Sequence, residues 1–145
     1  MSASNIVLND AQATPVAHTF KPRGLDPKGN FWWEDQTGSS SLGYNRISMK
    51  LVRAAVPVQG QSSKDLVNRV QFGIHTPVLE TLGTADNGML PPPQVAYVPR
   101  CVGEFILSDR SNDQERKDLR KYMEGLMGEA QLEQMVETLL SAYAT

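Results

Sequence analysis

The stretch Arg46-Ile47-Ser48-Met49-Lys50-Leu51 gives the clearest indication of how this 145-residue chain folds. Polar and apolar side chains alternate along it with a period of two, which is typical of a half-buried β-strand. Its apolar members therefore share one face of a sheet, and its polar and basic members share the other. Only the apolar face needs to be covered, which favours an antiparallel sheet with one face open to water.

A second alternating stretch follows the glycine- and serine-rich turn at residues 60–63. It reads Arg69-Val70-Gln71-Phe72-Gly73-Ile74-His75, and its apolar residues are predicted to face inward. The odd-numbered residues then face outward with the polar side of the first strand. The two stretches predict a sheet with one polar and basic face.

Three further runs precede these strands. Residues 5–8 and 16–20 are short β-type runs that predict an N-terminal hairpin, closed at its far end by the turn Lys21-Pro22-Arg23-Gly24. A third strand begins at Phe31-Trp32-Trp33. Because adjacent strand residues face opposite ways, at most one tryptophan can serve either face, and burial is predicted for one of them.

A long loop and a last strand complete the predicted sheet. Residues 80–93 contain Gly83, Gly88 and the triplet Pro91-Pro92-Pro93, which indicates a loop. The last strand is predicted from about residue 95 to 107. Pro99 interrupts its hydrogen-bonding ladder, and Gly103 is a candidate for a β-bulge.

After residue 107 the apolar period changes from two to 3.6, which indicates helices. Ser111 and Gln114 have the spacing of a capping box, and Gly128 separates two amphipathic stretches. The first stripe is Leu119, Tyr122, Met123 and Leu126, and the second is Leu132, Met135, Val136, Leu139, Leu140 and Tyr143. Strands followed by helices predict an α+β fold with an antiparallel sheet.

The composition is that of one ordinary domain spanning residues 1–145, with the hairpin at about 5–21, the sheet at about 30–108 and the helices at about 111–143. No run of about 20 apolar residues could span a membrane, and the N-terminus lacks the pattern of a secretory signal. The one cysteine, Cys101, excludes an intramolecular disulfide and is interpreted as a small apolar filler.

Charge is unevenly distributed along a chain whose net charge is only −2. Residues 44–75 contain five basic residues and one acidic residue, whereas residues 129–145 contain three acidic residues and no basic one. This asymmetry predicts two different electrostatic faces. The terminal helices could cover the sheet of their own chain or that of a second copy, and the pattern of residues leaves both arrangements open.

In the order of its elements and in several local strings, the chain resembles the coat proteins of the levivirus-type single-stranded RNA phages. The strongest match is the tail, from Glu115-Arg116-Lys117-Asp118-Leu119 through Gln131-Leu132-Glu133-Gln134-Met135-Val136-Glu137-Thr138-Leu139-Leu140. The family closes there with two adjoining helices of this stripe. The alternating strand at residues 46–51, the opening Asn5-Ile6-Val7-Leu8 and the loop before the last strand also fit.

The resemblance implies an interlocked homodimer in which the two sheets join edge to edge and each pair of helices crosses over the partner's sheet. Dimers would assemble into an icosahedral shell, made in the cytoplasm of a bacterial host, with the long loop clustered around the symmetry axes. The exposed sheet face would line the interior and bind genomic single-stranded RNA. In many members a dimer also binds one RNA hairpin and represses translation of the replicase.

Carried onto this sequence, the resemblance assigns RNA binding to strand positions Arg46, Ser48, Lys50, Arg69, Gln71, His75, Tyr97 and Arg100. Basic side chains neutralise phosphates, Ser and Gln bond to unpaired bases, and a tyrosine can stack on a base. Gly73 departs from the family, which often has a basic residue there. The dimer interface is assigned to the helical stripes, Leu119, Tyr122, Met123, Leu126, Leu132, Met135, Val136, Leu139 and Leu140.

The sequence predicts no catalytic residue, metal site or cofactor. Its two histidines lie on separate predicted strands, and it contains no zinc-ligand spacing, phosphate-binding loop or nucleophile motif. The alternative to a coat protein is a cellular dimeric module that binds RNA or protein without forming a shell. Negative-stain microscopy separates the two, because only the coat protein would form particles of uniform size.

Overall fold

The computed structural model describes residues 3–83 and 88–141. The strands alternate with short turns along the first three quarters of the chain, and the helices follow. The strands are β1 (Ile6–Asn9), β2 (Ala17–Leu25), β3 (Phe31–Asp35), β4 (Asn45–Val52), β5 (Val67–His75), β6 (Val78–Leu79), β7 (Val95–Tyr97) and β8 (Arg100–Ser108). The helices are α1 (Asp113–Met127) and α2 (Ala130–Thr138), and single 3₁₀ turns occur at Ser41–Gly43 and Ser63–Asp65.

Six strands form one sheet in the order β1-β2-β3-β4-β5-β8. Neighbours from β1 to β5 pair antiparallel, and Ile47 of β4 lies opposite both Trp33 of β3 and Ile74 of β5. The α+β class and the two alternating strands are therefore confirmed. The structure divides into two compact units, one of residues 1–54 with 68–106 and one of residues 55–67 with 107–145.

Strand β2 is longer than the sequence predicts. It was expected to end near Phe20, but it continues through Pro22 to Leu25. Between Pro22 and Gly24 its register against β3 shifts, and Gly24 has a φ of +116°. The residues expected to form a turn thus form a bulge-like irregularity within the strand. Glycine adopts this positive φ without steric cost, and proline is tolerated because its missing N–H falls where the ladder is already interrupted.

The prediction of one continuous strand from about residue 95 to 107 is wrong. β7 ends at Tyr97, β8 begins at Arg100, and β7 pairs with β6 in a separate two-stranded sheet. Pro99 lies in the break and has no N–H to donate to a ladder, although its carbonyl accepts from the backbone N–H of Thr76 at 3.0 Å. The predicted loop at residues 80–93 is free of strand and helix where it is described, and its residues 84–87 lie outside the described range.

The core of the sheet is small. Phe20, Trp33 and Ile47 are buried on one face, with Ile6 and Phe31 packed beside them. Trp32 is only half-buried and lies opposite Ser48, on the other face of the sheet. The prediction that the two tryptophans separate, with one of them buried, is confirmed. Cys101 is exposed in the single chain, so its interpretation as an apolar filler is wrong.

In the unit that contains the helices, a backbone hydrogen bond from the N–H of Asp109 to the carbonyl of Leu66 joins its two segments. The capping box lies one residue later than predicted: the side chain of Asn112 accepts from the Glu115 N–H, and Glu115 accepts from the Asn112 N–H, both at 2.9 Å. Ser111 instead donates its hydroxyl to the Ser108 carbonyl. The asparagine is therefore better placed than the serine to satisfy the first free N–H groups.

The break at Gly128 is confirmed, because α1 ends at Met127 with Gly128 as its C-terminal cap. Helix α2 is shorter than its apolar stripe and ends at Thr138. Leu139 follows in the left-handed region with a φ of 56°, so Leu139 and Leu140 lie beyond the helix. Tyr143, the last residue of the predicted stripe, lies outside the described residues.

Candidate RNA-binding face

Strand pairing places the predicted polar side chains on one face of the sheet. Directly opposed residues share a face, and the pairs across β4 and β5 are Arg46 with His75, Ser48 with Gly73, Lys50 with Gln71 and Val52 with Arg69. Trp32 joins this face through its pairing with Ser48. The polar face is defined here as Trp32, Glu34, Arg46, Ser48, Lys50, Arg69, Gln71, His75 and Glu104.

Each basic residue of the polar face has a partner within the chain. Arg46 donates from Nε to Glu34 at 3.1 Å, and Glu34 also pairs with Arg23 at 2.9 Å. Arg69 donates from Nη1 to Glu104 at 3.1 Å. Two acidic residues from β3 and β8 therefore interrupt the basic strip that the sequence predicts, and they lower its positive potential.

Glu104 also binds the predicted amide of this face. Its Oε1 accepts from Gln71 Nε2 at 3.0 Å, while its Oε2 accepts from Arg69. One carboxylate thus orients an amide and a guanidinium, which come from 33 and 35 residues away in the chain. The acidic residue was missed by the sequence analysis because β8 carries no alternating pattern that separates its faces.

The loop between β2 and β3 holds two more side chains of the polar face. Asp26 accepts from Trp32 Nε1 at 2.9 Å and from both nitrogens of Asn30, and these hydrogen bonds hold the pKa of its carboxyl well below the usual range. Lys50 donates from Nζ to the carbonyl of Lys28 at 2.6 Å. The carboxylate therefore stays charged and fixes the orientation of the indole.

Two cavities open on the polar face. The larger, of about 490 Å³, is bordered by the amide and carboxylate pair Gln71 and Glu104 together with Asn30, Ser48 and Phe72. Gly103 also borders it, and a Cβ there would overlap the ring of Phe72. The smaller, of about 250 Å³, lies at the other end of the face, against Trp32, Tyr44, Arg46 and His75.

The remaining two predicted RNA-binding residues are Tyr97 and Arg100. Tyr97 is 62% exposed and belongs to β7, in the two-stranded sheet. Arg100 is exposed at the first residue of β8, and its alternation with Glu104 gives it the same side of that strand. The structure thus brings together six of the eight predicted residues and separates Tyr97 from the six-stranded sheet.

The predicted dimer residues are unburied in the single chain. Within the described helices no residue is buried, and Met123 and Leu132 are only half-covered. The other stripe residues are exposed, up to 73% for Tyr122 and 87% for Leu139. Exposed apolar surface of this extent is typical of sites that contact another protein surface.

A second titratable cluster lies on the opposite face of the sheet. His18 Nδ1 lies 2.6 Å from Asp35 Oδ2, and its Nε2 lies 3.4 Å from Asp10 Oδ2. Hydrogen bonds to Asp35 and then Asp10 raise the pKa of His18. Burial alone would raise the pKa of Asp35, but the bonds from His18 and Thr37 lower it overall.

These contacts tie the N-terminal hairpin to the end of β3. In the described part of the chain, no group of three or more His, Cys, Asp or Glu side chains is arranged to hold a metal ion. Over the same residues, neither helix has the length and apolar character needed to cross a lipid bilayer.

The sequence pattern of the family described as Levivirus coat protein matches residues 1–143. The chain belongs to this family. It is a viral coat protein, a structural component of a capsid and not an enzyme. A comparison with curated protein sequences finds no match.

Solved structures agree with the family assignment. A chain from the virus-like particle of bacteriophage ESE058 is 41% identical, with a TM-score of 0.88 over 99% of this chain and 100% of that one. The chain from the virus-like particle of bacteriophage NT-214 is 26% identical with a TM-score of 0.79 over the same shares. The fold is also shared with a chain from the virus-like particle of Beihai levi-like virus 21, at 21% identity and a TM-score of 0.77.

Proposed function

We propose that this coat protein forms an interlocked homodimer, that dimers assemble into an icosahedral shell, and that the shell packages single-stranded genomic RNA against the polar face. In this proposal the chain is one functional domain located in the virion and synthesised in the cytoplasm of a bacterial host. The virus-like particles formed by its relatives support the shell. The exposed apolar surfaces of the single chain support the dimer.

Two separate apolar surfaces lack cover in the single chain. One is the row of sheet side chains that continues from buried Ile47, in which Met49 is 41% exposed, Leu51 54% and Ile74 37%. The other is the pair of helical stripes. The two surfaces are complementary in chemistry, because an apolar sheet face can be covered by an amphipathic helix pair. Two copies that exchange helices would bury both surfaces at once.

The RNA part of the proposal is carried by one observation, the ladder of Arg46, Lys50 and Arg69 on a face that needs no protein cover. A dimer would present these side chains twice, next to Ser48 and Gln71, which can bond to unpaired bases. A hairpin bound across this face would block translation of the replicase, as the family resemblance implies. No membrane partner is part of the proposal.

Purification and negative-stain microscopy test the shell. Particles of uniform size containing nuclease-protected RNA are expected from the full chain. Deleting residues 128–145 should abolish the soluble dimer, because it removes one stripe of the proposed interface. Discrete dimers from the full chain would contradict the shell, and a truncated chain that stays a folded monomer in sedimentation and circular dichroism would contradict the interface.

A salt series tests the RNA face. Replacing Arg46, Lys50 and Arg69 together by Ala should weaken binding of all RNA sequences and flatten the slope of log affinity against log salt by roughly 0.7 per lost contact. Gln71→Ala is the matched comparison and should reduce discrimination between hairpins with little change in slope. If the triple variant binds as tightly and as salt-dependently as the parent, RNA binds elsewhere.

A further inference from the structure

We propose that residues 6–20, which form the N-terminal hairpin, are a hinged flap that a protonated His18 holds on the sheet, and that the flap opens when alkaline solution deprotonates His18. The flap is defined here as β1, the turn after it and the first half of β2. This inference is independent of the proposed RNA-binding function, because the contacts of His18 lie on the face of the sheet opposite the polar face. The following observations carry it.

The flap is attached to the rest of the sheet by side chains and not by a ladder of backbone hydrogen bonds. Residues 6–9 of β1 pair with residues 17–20 of β2. In the described range, β3 pairs with β2 only from Lys21 onward, and the irregularity between Pro22 and Gly24 follows at once. The flap can therefore lift at Lys21 while the pairs between β2 and β3 remain intact.

Three contacts hold the flap down. Phe20 packs in the core cluster with Trp33. Trp33 Nε1 also donates to the backbone carbonyl of Ser4 at 3.0 Å, just before β1. The third contact is the pair of His18 Nδ1 and Asp35 Oδ2 at 2.6 Å. By alternation this pair continues the row of Phe20 and Trp33. Of the three contacts, only the third joins titratable groups, so it is the one that pH can change.

The geometry of His18 requires two protons on its ring. Both ring nitrogens face carboxylates, since Nε2 lies 3.4 Å from Asp10 Oδ2 in the turn of the flap. Carboxylates only accept hydrogen bonds, and only the imidazolium has two N–H groups to donate. In the neutral ring one proton must serve either Asp10 or Asp35. The two carboxylates then compete for it, and the contact between the flap and the sheet weakens.

No other cation compensates for this loss. Among the residues that the structure describes, His18 is the one base within 4 Å of either Asp10 or Asp35. Leu8 lies opposite His18, and Asn45 lies opposite Asp35, and neither is charged. Hydrogen bonds to Asp35 and then to Asp10 raise the pKa of His18 above 6.5. The contact is therefore complete below about pH 6.5 and is lost as the pH rises through the raised value.

Hydrogen–deuterium exchange measured by mass spectrometry on the full chain tests the flap, because it detects local opening. Exchange of residues 6–9 and of β4 is compared at about pH 6 and about pH 9, after correction for the intrinsic rates. We expect exchange of residues 6–9 to rise by roughly two- to fivefold at the higher pH, the effect of one partly exposed ion pair, while β4 stays protected.

Variants assign this rise to the ring of His18. His18→Gln should abolish the dependence on pH, because the amide does not titrate. His75→Gln is the matched control, since it removes the other histidine of the chain, on the polar face, and it should keep the parental rise. Asp10→Asn should reduce the rise, because its amide can donate to the neutral ring and leave the ring proton to Asp35.

Each contrary result overturns the inference in a different way. Equal protection of residues 6–9 at both pH values in the parent would show that the flap does not open. A parental rise that persists in His18→Gln would assign the effect to another group. Exchange of β4 that rises together with the flap would show unfolding of the whole sheet. If His18→Gln does not fold, Asp10→Asn decides, and an unchanged rise in that variant would refute the role of the ring.

Discussion

Glu104 is predicted to weaken RNA binding, and its neutralisation should strengthen it. In the free protein its carboxylate accepts hydrogen bonds from Arg69 at 3.1 Å and from Gln71 at 3.0 Å. Both side chains must break these hydrogen bonds before they can contact RNA. Glu104→Gln keeps the size of the side chain, removes its charge and leaves one acceptor oxygen where the carboxylate has two, so Arg69 and Gln71 can no longer both be held. The released guanidinium can then neutralise a phosphate without competition.

The expected magnitude follows from one added phosphate contact in each subunit. Two contacts in the proposed dimer would steepen the slope of log affinity against log salt by up to about 1.4 on single strands, from about 0.7 each. Over a change from about 50 to about 200 mM salt, this slope corresponds to a roughly sevenfold larger loss of affinity. The protein's own stability should hardly change, because an exposed ion pair contributes only about 0.2–1 kcal/mol.

Filter binding of a single-stranded RNA across the salt series measures this slope. Glu133→Gln is the matched control, because it removes the same charge from helix α2, outside the polar face. The control should leave the slope at the parental value. A slope that is equally unchanged in Glu104→Gln would refute the reasoning and show that Arg69 does not meet phosphate when Glu104 releases it.

Three further outcomes are expected. Leu132→Ala should lower the free energy of dimer unfolding by about 2–5 kcal/mol if a partner buries this half-covered residue, whereas exposed Gln131→Ala should leave denaturant curves near the parental ones. Leu90→Ala should change particle size or yield in microscopy while dimer folding is kept, because this side chain is 76% exposed in the loop that the family resemblance places around the symmetry axes of the shell. Normal particles at normal yield would contradict that placement. His18→Gln should flatten the pH dependence of thermal stability above neutrality. Because the pKa of His18 is raised, its contribution to the free energy of unfolding is complete below about pH 6.5 and is lost as the pH rises through the raised value. The pKa of Asp35 is lowered, so its contribution is lost as the pH falls through that lowered value. A variant whose melting curve follows the parent at every pH would show that this cluster does not hold the hairpin.

Some of the fold was determined by residues that are close in sequence. Alternation along residues 46–51 and 69–75 assigned the two faces of β4 and β5, because strand geometry forces successive side chains to opposite sides. The same rule separated Trp32 from Trp33. The break between the helices followed from Gly128, and the helical period from the stripe that begins at Leu119.

The tertiary structure decided what these faces contact. The sequence contained Glu34 and Glu104, but only pairing of β3 with β4 and of β8 beside β5 brought them to Arg46 and Arg69, so the basic strip became a mixed one. The sequence predicted that Pro99 interrupts the last strand. The local pattern could not show whether the strand stays in the main sheet with a kink or divides, with its first part pairing with β6. The cavity beside Trp32 is formed by loops and strands that are far apart in the chain. Contacts of this kind leave no periodic pattern in the sequence, so they could not be predicted from it. Local sterics and patterning fix each element, whereas partners and cavities arise only when distant elements pack together.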